Sequence, residues 1–395
     1  MRRDEDSEWG SGNPDRDSAY AALETDAPRL KLVQRPGLLA TLRYGSANFL
    51  LVLGAGALVA GGWATWVVLA LALVLGSFAD EVSGDDDASL KESRCPFCTV
   101  NLYLTLPLVG LSAFLLVRFA AERPSLTAQP FETIGALWLV GYLFALAGAT
   151  VAHELTHRNS RFAKVSAYLL LGFTGNACFV IYHIYAHHRQ VGTYHDAATA
   201  RRGERLRTFM ARTLTQQFGQ AAQIEAARLR RLGLSSYSWR NRLIWGHFTT
   251  LAILAVAGII GGVHGMLAIL AAGLIGRTFH ELINYVQHYG LVRVENSPIR
   301  SHHSWDCHRT ISNALHYNLP RHSDHHMFAN KAFWQLDTQQ TAPTLPYGYQ
   351  TMAFIALTPP LWRHIMTPLL VDWDQRFASD AEREVVRERG WEGVA

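Results

Sequence analysis

The sequence predicts an all-α protein that crosses a membrane several times and carries a histidine-rich cap on one face. About half of its 395 residues are apolar, yet the mean hydropathy is near neutral, because long uncharged runs alternate with long Arg-rich stretches. Four groups of histidines lie at or beyond the ends of the apolar runs. This combination is typical of a polytopic membrane protein with substantial polar parts and excludes an ordinary globular protein.

The two ends of the chain differ in composition from its centre. Residues 1–36 are polar and charged, without the apolar core of a signal peptide, so we expect a disordered tail there. Residues 372–395 are again charged and are expected to form a C-terminal tail or a surface helix. A single membrane domain is therefore predicted over 37–371.

Two of the apolar runs are longer than the roughly 20 residues that one crossing needs. Each has a glycine pair near its middle, Gly61-Gly62 and Gly261-Gly262, so each is predicted to form a helical hairpin. Together with two single crossings, this gives six transmembrane helices. Their predicted ranges are 46–61, 63–79, 99–117, 134–152, 248–262 and 264–280.

The uncharged segment 165–182 is predicted to be interfacial and not to cross. A full crossing here would separate the first two histidine groups by about 30 Å, on opposite faces of the membrane. Gly172, Gly175 and Asn176 also disfavour a straight helix.

The Arg-rich stretch 189–242 fixes the expected orientation. The positive-inside rule assigns it to the cytoplasm, and six crossings then place both termini and every histidine group there, in a bacterial inner membrane. These arginines lack interleaved exposed aromatic residues, so we expect no nucleic-acid partner.

The grouped histidines predict two metal ions. A single ion takes about four to six ligands, and the groups contain more imidazoles than that. Neighbouring residues on a helix diverge by about 100°, so adjacent histidines can reach two different ions. The nine candidate ligands are His153, His157, His183, His187, His188, His288, His322, His325 and His326. For His303, a role in supporting a ligand and a purely structural role are about equally favoured.

Several chemistries are compatible with such a site. The motif His153-Glu154-Leu155-Thr156-His157 is also the signature of zinc metalloproteases, with Glu154 as general base, but a protease leaves the other groups unexplained. A metal transporter would need polar residues along its crossings. Iron or copper acting with O2 beside an apolar bundle favours attack on an unactivated C–H bond of an alkyl chain drawn from the bilayer. Cys95 and Cys98 form a lone CxxC, which we interpret as an incidental pair, with a redox or metal role as the alternative.

The histidine motifs resemble those of a known family. They read HELTH at 153–157, HIYAHH at 183–188 with RQVGTYHDAATARRG at 189–203, NYVQHYGL at 284–291, HSW at 303–305 and LPRHSDHH at 319–326. This set is similar to that of the integral-membrane non-haem di-iron alkane 1-monooxygenases, relatives of the membrane fatty-acid desaturases and of xylene monooxygenase. Before residue 130 the likeness is in hydropathy alone.

The resemblance implies hydroxylation of a terminal methyl group, with O2 as co-substrate and two iron ions held by the nine histidines. It implies rubredoxin as electron donor, reduced by an NAD(P)H-dependent rubredoxin reductase. Glu154, Asp196 and Asp324 would orient the ligands. The alternatives on the same scaffold are fatty acyl desaturation or hydroxylation and aromatic-methyl hydroxylation. Arginines 201–207 are a candidate docking surface for an acidic carrier.

The sequence departs from the family pattern near the expected metals. Tyr182 and Gln287 stand where the family usually has glutamate, and the segment Asp196-Ala197-Ala198 lacks the usual proline. We expect the absence of these two carboxylates to change the redox potential of the metal centre and the choice of substrate.

Overall fold

The computed structural model describes residues 41–92 and 94–394. Over these residues the protein is helical, and its two isolated β-bridges belong to no sheet. The predicted all-α class is confirmed for this part of the chain, whereas the predicted tail 1–36 lies outside it. The principal helices in chain order are α1 Arg43–Ala60, α2 Ala64–Val82, α3 Pro96–Ala121, α4 Pro130–Thr156, α5 Arg161–Gly172, α6 Phe179–Tyr182, α7 Leu206–Arg231, α8 Arg242–His288, α9 Thr310–Leu315, α10 His322–Met327, α11 Tyr349–Ala356, α12 Pro359–Arg376 and α13 Asp380–Glu388.

Five of these helices, α1 to α4 and α8, are long and apolar enough to cross a membrane. The number differs from the six predicted crossings because the fifth and sixth of them belong to one 47-residue helix, α8, which has a kink inside it. Its backbone leaves the helical region at Gly261 (φ −122°, ψ 15°) and Gly262 (φ 59°, ψ −158°). A Cβ atom added to Gly265 would lie 2.8 Å from the carbonyl oxygen of Ala257. Residues eight apart in a straight helix are about 12 Å apart, so α8 folds back on itself at the glycine pair.

The segment between α4 and the second histidine group contains two short helices. Helix α5 has 12 residues, about 18 Å of rise, which is too short to cross a bilayer. A turn follows, in which Gly175 has a φ of 64°, and the chain resumes as α6. This break brings the second histidine group back to the level at which α4 ends.

Close helix packing aligns the membrane helices that carry ligands. A Cβ on Gly276 of α8 would lie 2.8 Å from the carbonyl oxygen of Gly141 on α4, so only glycine permits this approach. The C-terminal ends of α4 and α8 carry His153 and His288, and the glycine contact holds these two ends side by side.

The polar helices cover the ends of α4 and α8. Helix α7 is tied to α8 by buried hydrogen bonds from the Gln217 amide to Glu281 (2.9 Å) and from Arg277 to Gln217 (2.8 Å). The predicted boundary at 372 falls inside α12, and the segment after it forms α13. Its Glu382 is buried, so this segment packs on the protein as well as carrying charge. At the start of α3, the Cys95 and Cys98 sulfur atoms are bonded to each other as a disulfide.

Candidate metal centre

The structure gathers eight of the nine predicted ligands into two groups of four. Within each group the candidate ligand atoms all lie within 4.8 Å of one another. The first group is His153, His157, His183 and His325, and the second is His187, His288, His322 and His326.

The ninth histidine, His188, joins the first group. Its Nε2 atom lies 3.0 Å from Nε2 of His183 and 3.1 Å from Nε2 of His325. Each adjacent pair is therefore divided between the groups: His187 and His326 face one centre, and His188 and His325 face the other.

A π-helical turn explains how the second motif serves both groups. Residues His183–His187 form a π-helix between α6 and the short helix His188–Gln190. In an α-helix, residues five apart point about 140° away from each other, whereas the wider π turn brings them closer to one face. His183 and His188 can thus face the same centre while His187 faces the other.

The nitrogen geometry fits metal ions. Nε2 atoms approach each other at 3.0 Å between His157 and His183 and at 3.1 Å between His322 and His326. Two ligands at right angles around an ion, each about 2.1 Å from it, are separated by about 3 Å. The buried Nε2 of His153 has no hydrogen-bond partner among the described residues. Converging ring nitrogens, one of them unpartnered, form a donor set suited to a cation.

Burial also keeps these rings in the form that binds metals. It lowers the pKa of His183, His188 and His325 well below the ordinary value, and the neighbouring histidines lower each pKa further. The pKa of His322 and that of His326 are lowered for the same reasons. At neutral pH the rings are uncharged, and each has a lone pair free for a metal.

Asp196 is the carboxylate that contacts a ligand directly. It lies 2.9 Å from Nδ1 of His187 and accepts hydrogen bonds from the hydroxyls of Thr199 (2.7 Å) and Tyr182. Burial alone would raise its pKa, but His187 and these hydrogen bonds hold it below the usual range. The ionised carboxylate fixes the proton on Nδ1 of His187 and leaves Nε2 free for an ion.

Two other ligands of the second group have partners on their outer nitrogens. Nδ1 of His288 lies 3.4 Å from the backbone carbonyl oxygen of His303, an acceptor, and Nδ1 of His322 lies 3.4 Å from the amide nitrogen of Gln287, a donor. His303 therefore reaches the centre through its main chain, while its ring lies 2.7 Å from Glu382 of α13.

A further cluster of His302, His303 and Glu382 also has metal-ligand spacing. The hydrogen bonds of this cluster indicate a structural role instead of metal binding. Nδ1 of His303 accepts the backbone N–H of Arg300 at 3.0 Å, so the proton of the neutral ring resides on Nε2 and points to Glu382. That nitrogen has no lone pair for a metal, and the cluster serves to attach α13 to the loop behind His288.

Two of the predicted supporting carboxylates point away from the rings. Glu154 pairs with Arg158 and accepts the backbone N–H of Phe333. Asp324 binds Lys331 (2.9 Å) and the side chain of Gln339 (2.7 Å). Both are bound by partners nearby in the fold, so they fix the helices that carry the ligands and leave the rings themselves untouched.

Residues outside the predicted set also support the centre. Asp306 accepts the backbone N–H and the hydroxyl of Ser323, each at 2.7 Å, and thereby anchors the start of α10. Burial raises the pKa of Asp306 to about 7. Tyr182 and Thr199 hold Asp196, as described above. Asp306 and Thr199 have no spacing relative to the candidate ligands that would identify them, whereas Tyr182 stands next to His183 at a position that the sequence analysis had singled out.

An apolar cavity reaches both histidine groups from the membrane helices. Its inner end is lined by His153, His183, His187 and His322, and Trp138 and Phe279 line it as well. About half of its other lining residues are aliphatic, and most come from α2, α4, α8 and α11, with His316 and Leu319 from the loop between α9 and α10.

Apolar helices that end in two groups of converging imidazoles are typical of a membrane-embedded metalloenzyme. Residues 132–356 match the family model described as fatty acid desaturase. Alkane 1-monooxygenase 1 of Pseudomonas aeruginosa is 34% identical over 316 residues, which cover 78% of this chain and 82% of that protein. The chain therefore belongs to the alkane 1-monooxygenase family, and it is an integral membrane monooxygenase.

Two further relatives extend the comparison. Alkane 1-monooxygenase of Ectopseudomonas oleovorans is 30% identical over 326 residues, covering 79% of this chain and 80% of that protein. The hydroxylase component of xylene/toluene monooxygenase from Pseudomonas putida is 31% identical over 357 residues, covering 89% of this chain and 96% of that protein. The similarity thus extends to a relative named for aromatic substrates.

Proposed function

We propose that the protein inserts one atom of O2 into a terminal C–H bond of an alkane or a similar alkyl substrate. The reaction is R–CH3 + O2 + 2 e⁻ + 2 H⁺ → R–CH2OH + H2O. The observation that carries this proposal is the apolar cavity, because it ends between the two histidine groups. Hydrolysis is excluded for such a substrate, because an alkyl chain has no polar bond that water could cleave.

Two iron ions are the proposed cofactors. The first would be held by His153, His157, His183, His188 and His325, and the second by His187, His288, His322 and His326. Bound iron would supply the redox chemistry with O2 that an unactivated C–H bond requires.

Side chains of the protein bind the substrate and orient the histidine rings. The cavity wall holds the alkyl chain by burial, which contributes about 0.8 kcal/mol for each CH2 group, and it excludes water. Asp196 keeps the proton of His187 on Nδ1, and the carbonyl of His303 does the same for His288. These contacts orient the rings before any substrate enters.

The proposed topology has six crossings, because the two arms of α8 count separately once the chain reverses at Gly261-Gly262. The Arg-rich region around α7 favours the cytoplasm for the histidine groups and for both termini. The bacterial inner membrane is the proposed location.

The electrons are proposed to come from rubredoxin, itself reduced by an NAD(P)H-dependent rubredoxin reductase. The reaction consumes two electrons for each alcohol formed, so the protein needs an external reductant.

Hydroxylation of an aromatic methyl group is the second candidate, on the same site and with the same stoichiometry. It is favoured by the extent of the match to the xylene/toluene monooxygenase component and by the aromatic residues Trp138 and Phe279 in the cavity wall. The third candidate is desaturation or hydroxylation of a fatty acyl chain, which the desaturase-type domain supports. A zinc protease is disfavoured, because Glu154 is engaged by Arg158 and by the backbone of Phe333.

The deciding experiment combines metal analysis of the purified protein with product detection from a mixture of alkanes, xylenes and fatty acids, given rubredoxin and its reductase. We expect two irons per chain and 1-alkanols. The variants His187→Ala and His325→Ala should lose iron and turnover. His364→Ala, which alters an exposed histidine on α12, is the matched control and should lose neither. Full iron content in either ligand variant would overturn the assignment, and benzylic alcohols alone would favour the second candidate.

A further inference from the structure

An apolar groove, separate from the cavity at the histidine groups, runs along the membrane part of the protein. Its walls come from α3, α5 and the first arm of α8, which is the part before Gly261, and Ile269 of the second arm also lines it. We call it the outer groove. Among the described residues, none lines both this groove and the apolar cavity. The outer groove is therefore not a branch of the proposed substrate site.

Two of the helices that form the outer groove enter the membrane together. Helix α5 begins just after the first histidine motif, at the face that carries the histidine groups. A Cβ atom on Gly246 of α8 would lie 3.2 Å from the Tyr168 ring of α5. Further along, a Cβ atom on Gly172 of α5 would lie 2.8 Å from Ile253 of α8. The two helices thus run in the same direction, away from the histidine face and into the lipid.

The outer groove is about as long as one leaflet of a bilayer is deep. On α8 its lining extends from Phe248 to Ile260, which is about 18 Å of helical rise. The hydrocarbon core is about 30 Å thick, so one leaflet provides about 15 Å. Phe248 and Val256 are exposed at the edge of the groove, whereas Ala113 of α3 and Ala257 are buried in its floor. The groove therefore offers an apolar trough of the length of one acyl chain, open to the lipid along its side.

The end of the outer groove nearest the histidine face carries positive charge. Arg161, Lys164 and Val165 lie on the same side of α5 as the groove residue Leu169, within an arc of about 140°. Both cations are exposed, and they begin about 8–12 Å nearer the histidine face than Leu169. Helix α5 has no acidic residue, and neither cation pairs with a carboxylate among the described residues. The groove thus has an uncompensated basic rim at one end.

A tryptophan of α8 lies at the same end of the outer groove. Trp245 is exposed and precedes the groove residues Phe248 and Thr249 by one helical turn, so it heads the side of α8 that lines the groove. Its ring packs edge-on against Phe248 at 5.9 Å, and its indole N–H donates to the backbone carbonyl of Trp239 at 2.6 Å. Tryptophan concentrates at the level of lipid headgroups, and Lys and Arg attract anionic lipids there. The rim therefore has the composition of a headgroup site.

We propose that the outer groove binds one anionic phospholipid, with an acyl chain along α8 and its phosphate beside Arg161 and Lys164. The unpaired cations favour this occupant over an alkyl substrate, which has no charge for them to bind. They also disfavour a second copy of the chain, because a symmetric contact at this groove would bring like charges together. The site includes none of the candidate metal ligands, so the proposal does not depend on the proposed reaction.

The bound phospholipid would hold α5 in place. This helix is too short to cross the bilayer, and its packing against the bundle includes the groove residue Phe173, whose ring lies 5.1 Å from that of Phe144 on α4. The turn after Phe173 leads into α6 and then to His183 of the second histidine motif. A ligand of the folded state raises its stability, so the protein should be more stable in bilayers that contain anionic phospholipid.

The first test fills the groove in the full-length protein, purified in mild detergent from bacterial membranes. Gly110 of α3 lines the outer groove, and a Cβ atom there would have no neighbour within 4 Å, so the side chain of Gly110→Leu enters open space and the variant should fold. Gly56→Leu is the matched control, because Gly56 is an exposed glycine of α1 with equally open surroundings. Native mass spectrometry counts the retained phospholipids and identifies their headgroups.

The second test removes the positive charge. Arg161→Gln/Lys164→Gln is compared with Arg205→Gln/Arg207→Gln, which removes two exposed arginines at the start of α7. Delipidated protein is titrated with phosphatidylglycerol and, separately, with phosphatidylcholine, because both carry a phosphate and only the first has a net negative charge. The Tm of each protein is also measured in nanodiscs of phosphatidylcholine with and without phosphatidylglycerol.

We expect the wild type and both controls to retain one anionic phospholipid per chain and Gly110→Leu to lose it. Arg161→Gln/Lys164→Gln should bind phosphatidylglycerol roughly 10–30-fold more weakly, because each cation near a membrane surface contributes a factor of about 5. Phosphatidylglycerol should raise the Tm of the wild type and of the controls, and should raise it less in the groove and charge variants.

Three results would overturn the proposal. Retention of the phospholipid by Gly110→Leu would place it elsewhere on the protein, and equal affinity for phosphatidylcholine would show that the cations do not select it. Recovery of a dimer or of a bound alkane, lost in Gly110→Leu, would assign the groove to that occupant instead. If Gly110→Leu does not fold, the charge variants decide by themselves, since wild-type affinity in Arg161→Gln/Lys164→Gln excludes the headgroup site.

Discussion

Nδ1 of His187 lies 2.9 Å from the carboxylate of Asp196, and both side chains are buried. The same carboxylate holds Tyr182 and Thr199, so one residue connects a metal ligand to the loop that follows it. Because the ring nitrogen facing the centre must keep its lone pair, the hydrogen bond on the opposite nitrogen determines whether His187 can bind a metal.

The variant Asp196→Asn keeps the shape of this contact and removes its charge. We expect iron affinity to fall about 10–100-fold, because the amide supports the required tautomer less strongly. Iron retained after dialysis against graded chelator measures the change. Asp372→Asn, which alters an exposed ion pair of α12, is the control and should retain wild-type iron. Unchanged retention in Asp196→Asn would show that the contact is dispensable.

Gln287 lies beside Nδ1 of His322, at a position where a glutamate would place a charge. We expect Gln287→Glu to raise the basicity of His322, to strengthen iron binding several-fold and to lower the iron reduction potential. Chelator competition and a spectroscopic redox titration would measure both quantities. Weaker iron binding in a folded variant would mean that the cost of burying the new charge dominates.

Trp138 narrows the apolar cavity, where its ring packs edge-on against Phe279 at 6.0 Å. Trp63 and Trp66 instead contact Phe131 and do not line the cavity. We therefore expect Trp138→Ala to shift the products of an alkane mixture toward longer chains. Gas chromatography gives the distribution, with Trp63→Ala as the matched control. Equal shifts in both variants would assign the effect to general loosening of the bundle.

Glu225 is a buried acid of α7 that pairs with Arg228 on the same helix and with Arg242 at the start of α8. Burial alone would raise its pKa, but hydrogen bonds from both arginines lower it to about 2. A depressed pKa stabilises the folded state above the unfolded-state pKa and loses that contribution as the pH falls through the folded value. The shift corresponds to about 3 kcal/mol at neutral pH.

We therefore expect Glu225→Gln to lower the Tm by several degrees at pH 7, with a difference that narrows as the pH falls from about 5 toward 2. Thermal unfolding in detergent over this range tests the sign. Glu384→Gln removes an exposed pair with Arg387 and should change the Tm little. A difference independent of pH would assign the loss to packing.

Spacing within the sequence predicted which histidines lie close together and that adjacent histidines face different groups. Adjacent histidines must diverge on any helix, and the structure sends His187 and His188, like His325 and His326, to different groups. The glycine pairs predicted where the chain reverses, because a positive φ at Gly62 or Gly262 ends a helix at little cost.

The contacts that orient the histidine rings could not be predicted from spacing in the sequence. Glu154 and Asp324 stand next to ligands in the sequence, yet their carboxylates bind Arg158 and Lys331. Asp306 and Glu382 are remote in sequence and act through Ser323 and His303. Such pairings depend on how loops cross in space, which neither periodicity nor local spacing records.

The candidate ligands of each group come from distant parts of the chain, and this determines when the metal centre can form. The first group takes His153 from α4 and His325 from α10, so neither group is complete until synthesis has passed residue 326. A nascent chain emerges at roughly 5–20 residues per second, so His153 on α4 waits about 10–30 seconds for the histidines of α10. Loading of the proposed metals would therefore be a late, post-insertion event, and a chain cut short before α10 would leave the ribosome without a complete centre.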